Sequence, residues 1–128
     1  MRVLLGTHLA LWAVVGSKRL APRARQLILA ADNVFVSVAS LWEIAIKHGL
    51  GRGDMPISSA QALQAFVDAG YELLEIRPEH ALAVEGLAAI HGDPVDRMLV
   101  AQALAEPLTL ITSDAVVASY SPSILKFG

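Results

Sequence analysis

Residues 93–112 read DPVDRMLVAQALAEPLTLIT, a predicted helix followed by a predicted strand. The helix begins at the Asp93-Pro94 pair, because Asp can cap a helix and Pro is preorganised for its first position. It ends before Pro107, and the apolar run 108–112 then predicts a core strand. Strands that alternate with helices in this way are typical of a parallel sheet with helices on both faces.

The rest of the chain repeats the alternation. Further strands are predicted at 3–5, 34–38 and 71–76, with a short edge strand at 124–127. Helices are predicted at 8–15, 22–30, 40–49, 59–69 and 78–90, and residues 51–56 form the clearest loop. No internal repeat or linker is present. The sequence therefore predicts one α/β domain over residues 1–128, with a parallel central sheet flanked by helices.

Size and composition exclude several classes of protein. A chain of 128 residues with 55% hydrophobic residues buries a real core, which excludes disorder. The lack of Cys excludes a disulfide scaffold and a thiolate metal site. A net charge of −2 excludes a freely adhesive basic nucleic-acid binder. The apolar N-terminal run is interrupted by Thr7 and His8 and is too short to span a membrane, so we expect a cytoplasmic protein.

Three acidic residues are predicted to lie near one edge of the sheet. Asp96 falls in the first turn of its helix, on the same stripe as Leu99 and Val100, where a carboxylate is costly to desolvate. Asp114 follows the strand at 108–112, and Glu43 lies in the first turn after the second strand. Ligands bind at the carboxyl ends of parallel strands, and clustered carboxylates favour a cation between them. Oxygen-only ligands suit Mg²⁺ or Mn²⁺.

Each acid also has a structural interpretation. Ser40 and Glu43 have the spacing of a capping box, and Glu43 can pair with Lys47. Asp96 can simply complement the helix dipole, and Asp93 and Asp114 can be helix caps. Taken one at a time, the acids do not decide between these interpretations and a metal site.

Four segments in order resemble the signature blocks of PIN-domain proteins, in particular the VapC-like toxins of bacterial toxin–antitoxin pairs. The segments are 3–8, 40–47, 91–103 and 110–114, and the second and third are the most specific. The resemblance implies an endoribonuclease that depends on Mg²⁺ or Mn²⁺ and is held inactive by a cognate antitoxin. It implies metal-site roles for Glu43, Asp96 and Asp114, with Thr7 lining the site. It also implies a homodimer, and contact with operator DNA only through the antitoxin.

The first block departs from the family pattern at position 6. The family places Asp before Thr-His, whereas this chain has Gly6, which offers no carboxylate. We expect weak metal binding and poor RNA cleavage, since even an outer-shell partner typically contributes roughly 10–100-fold to metal affinity or activity. Two explanations remain open: an inactivating change that made a toxic protein tolerable, and a degenerate toxin that only binds its partner. Asp93 is a weaker substitute ligand, because its expected role is the helix cap.

Other polar and apolar residues leave alternatives open. Arg97 is expected beside the site, where it either steadies a phosphate or pairs with an acid. The basic residues at 18, 19, 23 and 25 form either a solvated surface or a contact to RNA or antitoxin. The four histidines show no zinc-type spacing, which favours structural or surface roles. Some of the large apolar residues are candidates for an antitoxin groove: Leu9, Leu11, Trp12, Leu41 and Trp42. A receiver-like or nucleotide-binding α/β domain remains a third hypothesis for the function.

Overall fold

The computed structural model describes residues 1–128 and contains five strands and seven helices. The strands are β1 (Arg2–Leu5), β2 (Asn33–Ser37), β3 (Glu72–Leu74), β4 (Thr109–Thr112) and β5 (Leu125–Lys126). The helices are α1 (Thr7–Val15), α2 (Pro22–Ala30), α3 (Val38–Gly49), α4 (Ser59–Asp68), α5 (Pro78–Glu85), α6 (Pro94–Ala105) and α7 (Ala115–Ala118). No helix combines the length and the apolar composition that a membrane span needs.

The five strands form one sheet in the order β3-β2-β1-β4-β5, and every neighbouring pair is parallel. β1 lies at the centre, with Leu4 paired to Phe35 on one side and to Leu110 on the other. The chain adds strands to one side of β1 and later crosses to the other side. The crevice between the ends of β1 and β4 is therefore the switch point of the sheet, where ligands bind in such folds.

Helices cover both faces of the sheet, as predicted. Val3 and Leu5 of β1 point into a core shared with α1, α2, α3 and α4, in which Phe66 is fully buried. Leu4, between them, points into a second core formed with α6 and α7, which includes Leu99. Alternation of side chains along a strand explains why three consecutive apolar residues serve two separate cores.

Two predicted helix boundaries are wrong. The helix from Pro78 ends at Glu85 rather than near residue 90, since the following residues form a turn whose Ala88 carbonyl accepts a hydrogen bond from Arg97. The helix predicted to begin at Ser40 begins at Val38, with Ser37 as its cap. The capping box that pairs Ser40 with Glu43 therefore does not form.

Candidate active site

An acidic cleft lies at the switch point between β1 and β4. Its volume is about 190 Å³, and it is bounded by the ends of both strands and by the first turns of α1 and α6. Four carboxylates line it together with one lysine and one histidine, so the cleft is negatively charged. Its polar and glycine lining residues include Gly6, Thr7, His8, Glu43, Lys47, Asp93, Asp96, Thr112 and Asp114.

Asp96 lies in the first turn of α6, as predicted. Asp93 caps this helix, because its Oδ1 accepts a hydrogen bond from the backbone N–H of Asp96 at 3.0 Å. Burial raises the pKa of the Asp96 carboxyl, and the charges of Asp93, Glu43 and Asp114 raise it further. A hydrogen bond with His91 acts in the opposite direction. The structure therefore brings these acids close enough together for their charges to repel.

Glu43 reaches the cleft from α3 and is buried, with 7% of its surface exposed. Its Oε2 accepts a hydrogen bond from the Lys47 ammonium at 2.6 Å, which confirms the predicted pairing one helical turn apart. Ser40 is buried on the same helix and accepts a hydrogen bond from the Thr7 hydroxyl at 2.9 Å. This contact ties the start of α1 to α3 and holds Thr7 at the cleft.

Asp114 follows β4 and caps α7. Its Oδ1 accepts hydrogen bonds from the backbone N–H groups of Val116 at 2.7 Å and Val117 at 3.3 Å. Its own N–H donates to the Thr112 hydroxyl at 3.0 Å. The cap predicted from the sequence is present, and the same carboxylate lines the cleft.

Gly6 is the single residue between β1 and α1, and it lines the cleft without a side chain. Its backbone N–H donates to the Ile111 carbonyl at 2.9 Å, and its φ of −61° is open to any residue. A Cβ built there would lie 3.2 Å from that carbonyl oxygen and 3.8 Å from the Thr112 hydroxyl oxygen. A residue with a side chain therefore fits at position 6 if the Ile111 carbonyl of β4 moves by a few tenths of an ångström.

Arg97 does not line this cleft, contrary to the prediction. Its guanidinium donates to the carbonyls of Val84 at 3.1 Å and Ala88 at 2.9 Å, and to the Tyr120 hydroxyl at 3.0 Å. Because α6 turns by about 100° per residue, a side chain directly after Asp96 points away from it. Arg97 thus fastens the turn after α5 to the segment after α7.

His8, His91 and Tyr120 were not identified as site residues from the sequence. His8 lines the cleft, and its Nε2 lies 3.3 Å from Asp54 Oδ2. Its position directly after Thr7 was a sequence signal that could have identified it. His91 contacts the Asp96 carboxylate at 3.1 Å, and its position five residues earlier gave a weaker signal. Tyr120 meets His91 across 29 residues of chain, for which spacing offers no indication.

The donor chemistry of the cleft fits a hard divalent cation, whereas the ligand set is incomplete. Clustered carboxylate oxygens without a thiolate are the ligands that Mg²⁺ and Mn²⁺ prefer. As the side chains stand, however, no group of three or more His, Asp or Glu residues is arranged to hold a metal ion. Gly6 lines the cleft through its backbone and contributes no carboxylate.

A comparison with known families identifies the fold. The PIN-domain model matches residues 3–121, and the chain belongs to that family. The hypothesis of a receiver-like or nucleotide-binding domain is therefore wrong.

Individual relatives place the chain within the family. It is 30% identical over 119 residues to Ribonuclease VapC22 of Mycobacterium tuberculosis, covering 92% of this chain and 91% of that protein. VapBC2 from Rickettsia felis, solved with a promoter DNA fragment, aligns with a TM-score of 0.70 and 16% identity, covering 99% and 98% of the two chains. DNA-bound VapBC from Salmonella typhimurium aligns with a TM-score of 0.69 and 17% identity, covering 99% and 97%. The chain is a VapC-like member of the PIN-domain family.

Proposed function

We propose that this chain is the toxin of a toxin–antitoxin pair, and that its cleft is an endoribonuclease site attenuated at Gly6. The observation that carries the proposal is the meeting of Glu43, Asp96 and Asp114 in one acidic cleft at the switch point of the sheet. The kinship with Ribonuclease VapC22 supports RNA as the substrate. The reaction is hydrolysis of a phosphodiester bond, with Mg²⁺ or Mn²⁺ as the cofactor.

The chain's own side chains have distinct tasks in this proposal. Glu43, Asp96 and Asp114 would hold the cation, which when bound supplies an activated water and offsets charge on the phosphate. Thr7, fixed by its bond to Ser40, presents a polar wall to the substrate. Lys47 pairs with Glu43, the buried member of the three acids, so that its charge is not left uncompensated when no cation is bound.

The same geometry explains why activity should be low. The backbone at position 6 lies at the cleft and offers no carboxylate. A lost ligand should weaken metal binding at least as much as a lost outer-shell partner, which typically costs roughly 10–100-fold. Glu43, Asp96 and Asp114 line the same cleft, although as they stand they are not arranged around one metal position.

The proposed partners are an antitoxin and a second copy of the chain. Solved neighbours in this fold include VapBC assemblies, some bound to DNA, which supports an antitoxin partner. Contact with operator DNA would then occur only through the antitoxin, and the site of action would be the cytoplasm. Trp42 and Ile46 on α3, with Leu50 directly after the helix, form an exposed apolar row that suits a protein partner. Of the groove residues predicted from the sequence, Leu9 and Leu11 are instead buried in the core.

A second candidate is a PIN domain that has lost catalysis and only holds an antitoxin. The absence of any group of three or more ligating side chains arranged for a metal favours it. The two candidate functions predict different effects of a carboxylate at position 6 on RNA cleavage. In an attenuated nuclease, a carboxylate at position 6 restores cleavage, whereas in a purely binding module it does not.

The test is Mn²⁺-dependent cleavage of a mixed RNA pool by the chain and by Gly6→Asp. We expect cleavage by Gly6→Asp to exceed that of the unsubstituted chain by at least about tenfold. A further Asp96→Asn substitution should abolish the gain, while Glu85→Gln, an exposed acid on α5, should leave it unchanged. If Gly6→Asp folds and cleaves no RNA, the nuclease proposal fails and the binding role is favoured.

A further inference from the structure

We propose that His91 is a positioning residue for Asp96, held in one orientation by Tyr120 and Arg97. The inference rests on the proposed function, because it assigns a task toward the acid that would bind the cation. It concerns a chain of hydrogen bonds in which Arg97 contacts Tyr120, Tyr120 contacts His91, and His91 contacts the Asp96 carboxylate.

The directions of the hydrogen bonds in this cluster follow from which atoms can donate. The Arg97 guanidinium can only donate, so the Tyr120 oxygen accepts from it at 3.0 Å. The Tyr120 hydroxyl proton then points to the closest acceptor, His91 Nδ1 at 2.7 Å, rather than to the His91 carbonyl at 3.5 Å. Nδ1 is therefore the acceptor nitrogen, and the proton of the neutral imidazole is on Nε2.

The Nε2 proton meets the Asp96 carboxylate. His91 Nε2 lies 3.1 Å from Asp96 Oδ2, and the ionised carboxylate can only accept. The opposite tautomer would place two lone pairs against each other at this distance. In many metal sites, a carboxylate that does not bind the metal orients a histidine ligand by a hydrogen bond. Here the imidazole of His91 would orient a carboxylate ligand, Asp96, in the same way.

This donor fixes one oxygen of Asp96 and leaves the other available. Oδ2 is engaged by His91, whereas Oδ1 has no hydrogen-bond partner in the protein and is accessible to solvent. The backbone N–H of Asp96 is also fixed, by the Asp93 cap. Asp96 is thus held at both its backbone and its side chain, and a single oxygen remains to bind a ligand in the cleft.

The cluster is itself rigidly attached to the fold. Arg97 binds the Val84 and Ala88 carbonyls, so its guanidinium cannot rotate freely. The Tyr120 ring lies under that guanidinium, 5.9 Å from its central carbon, and packs against the His91 ring with centroids 5.4 Å apart. Preorganisation of this kind lowers the entropic cost of holding Asp96 in a binding orientation.

A first experiment tests the proton positions without any metal. In the metal-free chain at about pH 8, where imidazoles in general are neutral, ¹⁵N shifts of the His91 ring should show Nε2 protonated and Nδ1 unprotonated. Tyr120→Phe removes the hydroxyl and keeps the ring, and it should shift the population toward the other tautomer. An Nδ1-protonated ring in the unsubstituted chain would overturn the inference.

A second experiment separates positioning from packing. A Gln amide nitrogen can occupy the place of Nε2, and an Asn amide nitrogen that of Nδ1. In the Gly6→Asp chain, we expect Mn²⁺ affinity, measured by calorimetry, to fall roughly 10–100-fold for His91→Asn and His91→Ala. His91→Gln should retain most of it. Thermal unfolding of each variant reports packing separately, and a loss of Mn²⁺ affinity that follows the unfolding temperature would contradict a positioning role.

The outcomes distinguish this inference from the proposed function. The Gly6→Asp chain and its three variants at position 91 could all bind Mn²⁺ tightly and with the same affinity. That result would overturn the inference and leave the nuclease proposal intact. If neither the unsubstituted chain nor Gly6→Asp binds Mn²⁺, the metal-dependent function fails. The positioning of Asp96 is then judged on the imidazole spectrum alone.

Discussion

The two walls of the cleft differ in how their side chains are supported. The α6 wall, made of Asp93 and Asp96 together with Asp114 at the cap of the neighbouring α7, has every carboxylate in a hydrogen bond. The β1 wall, made of Gly6 after β1 and Thr7 at the start of α1, has a hydrogen-bonded backbone and no carboxylate. The α6 wall therefore contributes carboxylates to the cleft, whereas the β1 wall contributes backbone groups and one hydroxyl.

The α6 wall depends on Arg97, and this predicts the largest loss of stability. Arg97→Met keeps the aliphatic stem and removes four hydrogen bonds, to the carbonyls of Val84, Ala88 and His91 and to the Tyr120 hydroxyl. We expect the free energy of unfolding to fall by about 2–4 kcal/mol, measured by urea denaturation, since bonds to charged groups are strong and their partners are partly buried. The matched control is Arg77→Met, which breaks an exposed pair with Glu79 and should cost less than about 1 kcal/mol. Equal losses for the two variants would contradict the anchoring role of Arg97.

The β1 wall depends on the buried hydroxyl pair of Thr7 and Ser40, and this predicts a smaller loss. Thr7→Val leaves the Ser40 hydroxyl without its donor and should lower the free energy of unfolding by about 1–2 kcal/mol. Adding Ser40→Ala removes the orphaned hydroxyl, so the double variant should be no less stable than Thr7→Val alone. Strictly additive losses in this double-mutant cycle would show that the pair does not hold the wall.

The smallest expected effect concerns the charge of Asp96 and its dependence on pH. Burial raises the pKa of this carboxyl in the folded chain, so ionisation costs stability at every pH above that raised value. In the presence of EDTA at pH 7, Asp96→Asn should therefore raise the unfolding temperature, by less than the losses above. The difference should shrink as the pH falls through the raised pKa, because the unsubstituted side chain then becomes neutral as well. A gain that persists unchanged at pH 3 would contradict the electrostatic origin.

Most of the fold was predictable because it rests on local signals. Pro22, Pro78 and Pro94 each open a helix where proline at the first position predicts one. The apolar runs around Leu4 and Leu110 are buried on both sides, as strands of a covered parallel sheet are. The parallel sheet placed Glu43, Asp96 and Asp114 at one edge, and the structure brings all three to one cleft.

The parts that sequence missed depend on contacts between distant segments. The Arg97 side chain is held away from the cleft partly by the Ala88 carbonyl, in the turn that follows α5, where the sequence predicted helix instead. Tyr120 and His91 meet only because α7 packs beside α6. Ser40 lost its predicted capping role since β2 ends one residue early, and its buried hydroxyl binds Thr7. Spacing along the chain does not encode any of these pairings.

The most direct measurement of the central claim is Mn²⁺ binding by the chain, Gly6→Asp and Gly6→Asn, determined by calorimetry under identical conditions. Asn matches Asp in size, so it carries any strain from the 3.2 Å approach to the Ile111 carbonyl without adding a charge. The account predicts an affinity at least about tenfold higher for Gly6→Asp than for the other two. Equal affinities for all three, with each variant folded, would contradict the claim that this cleft lacks one carboxylate.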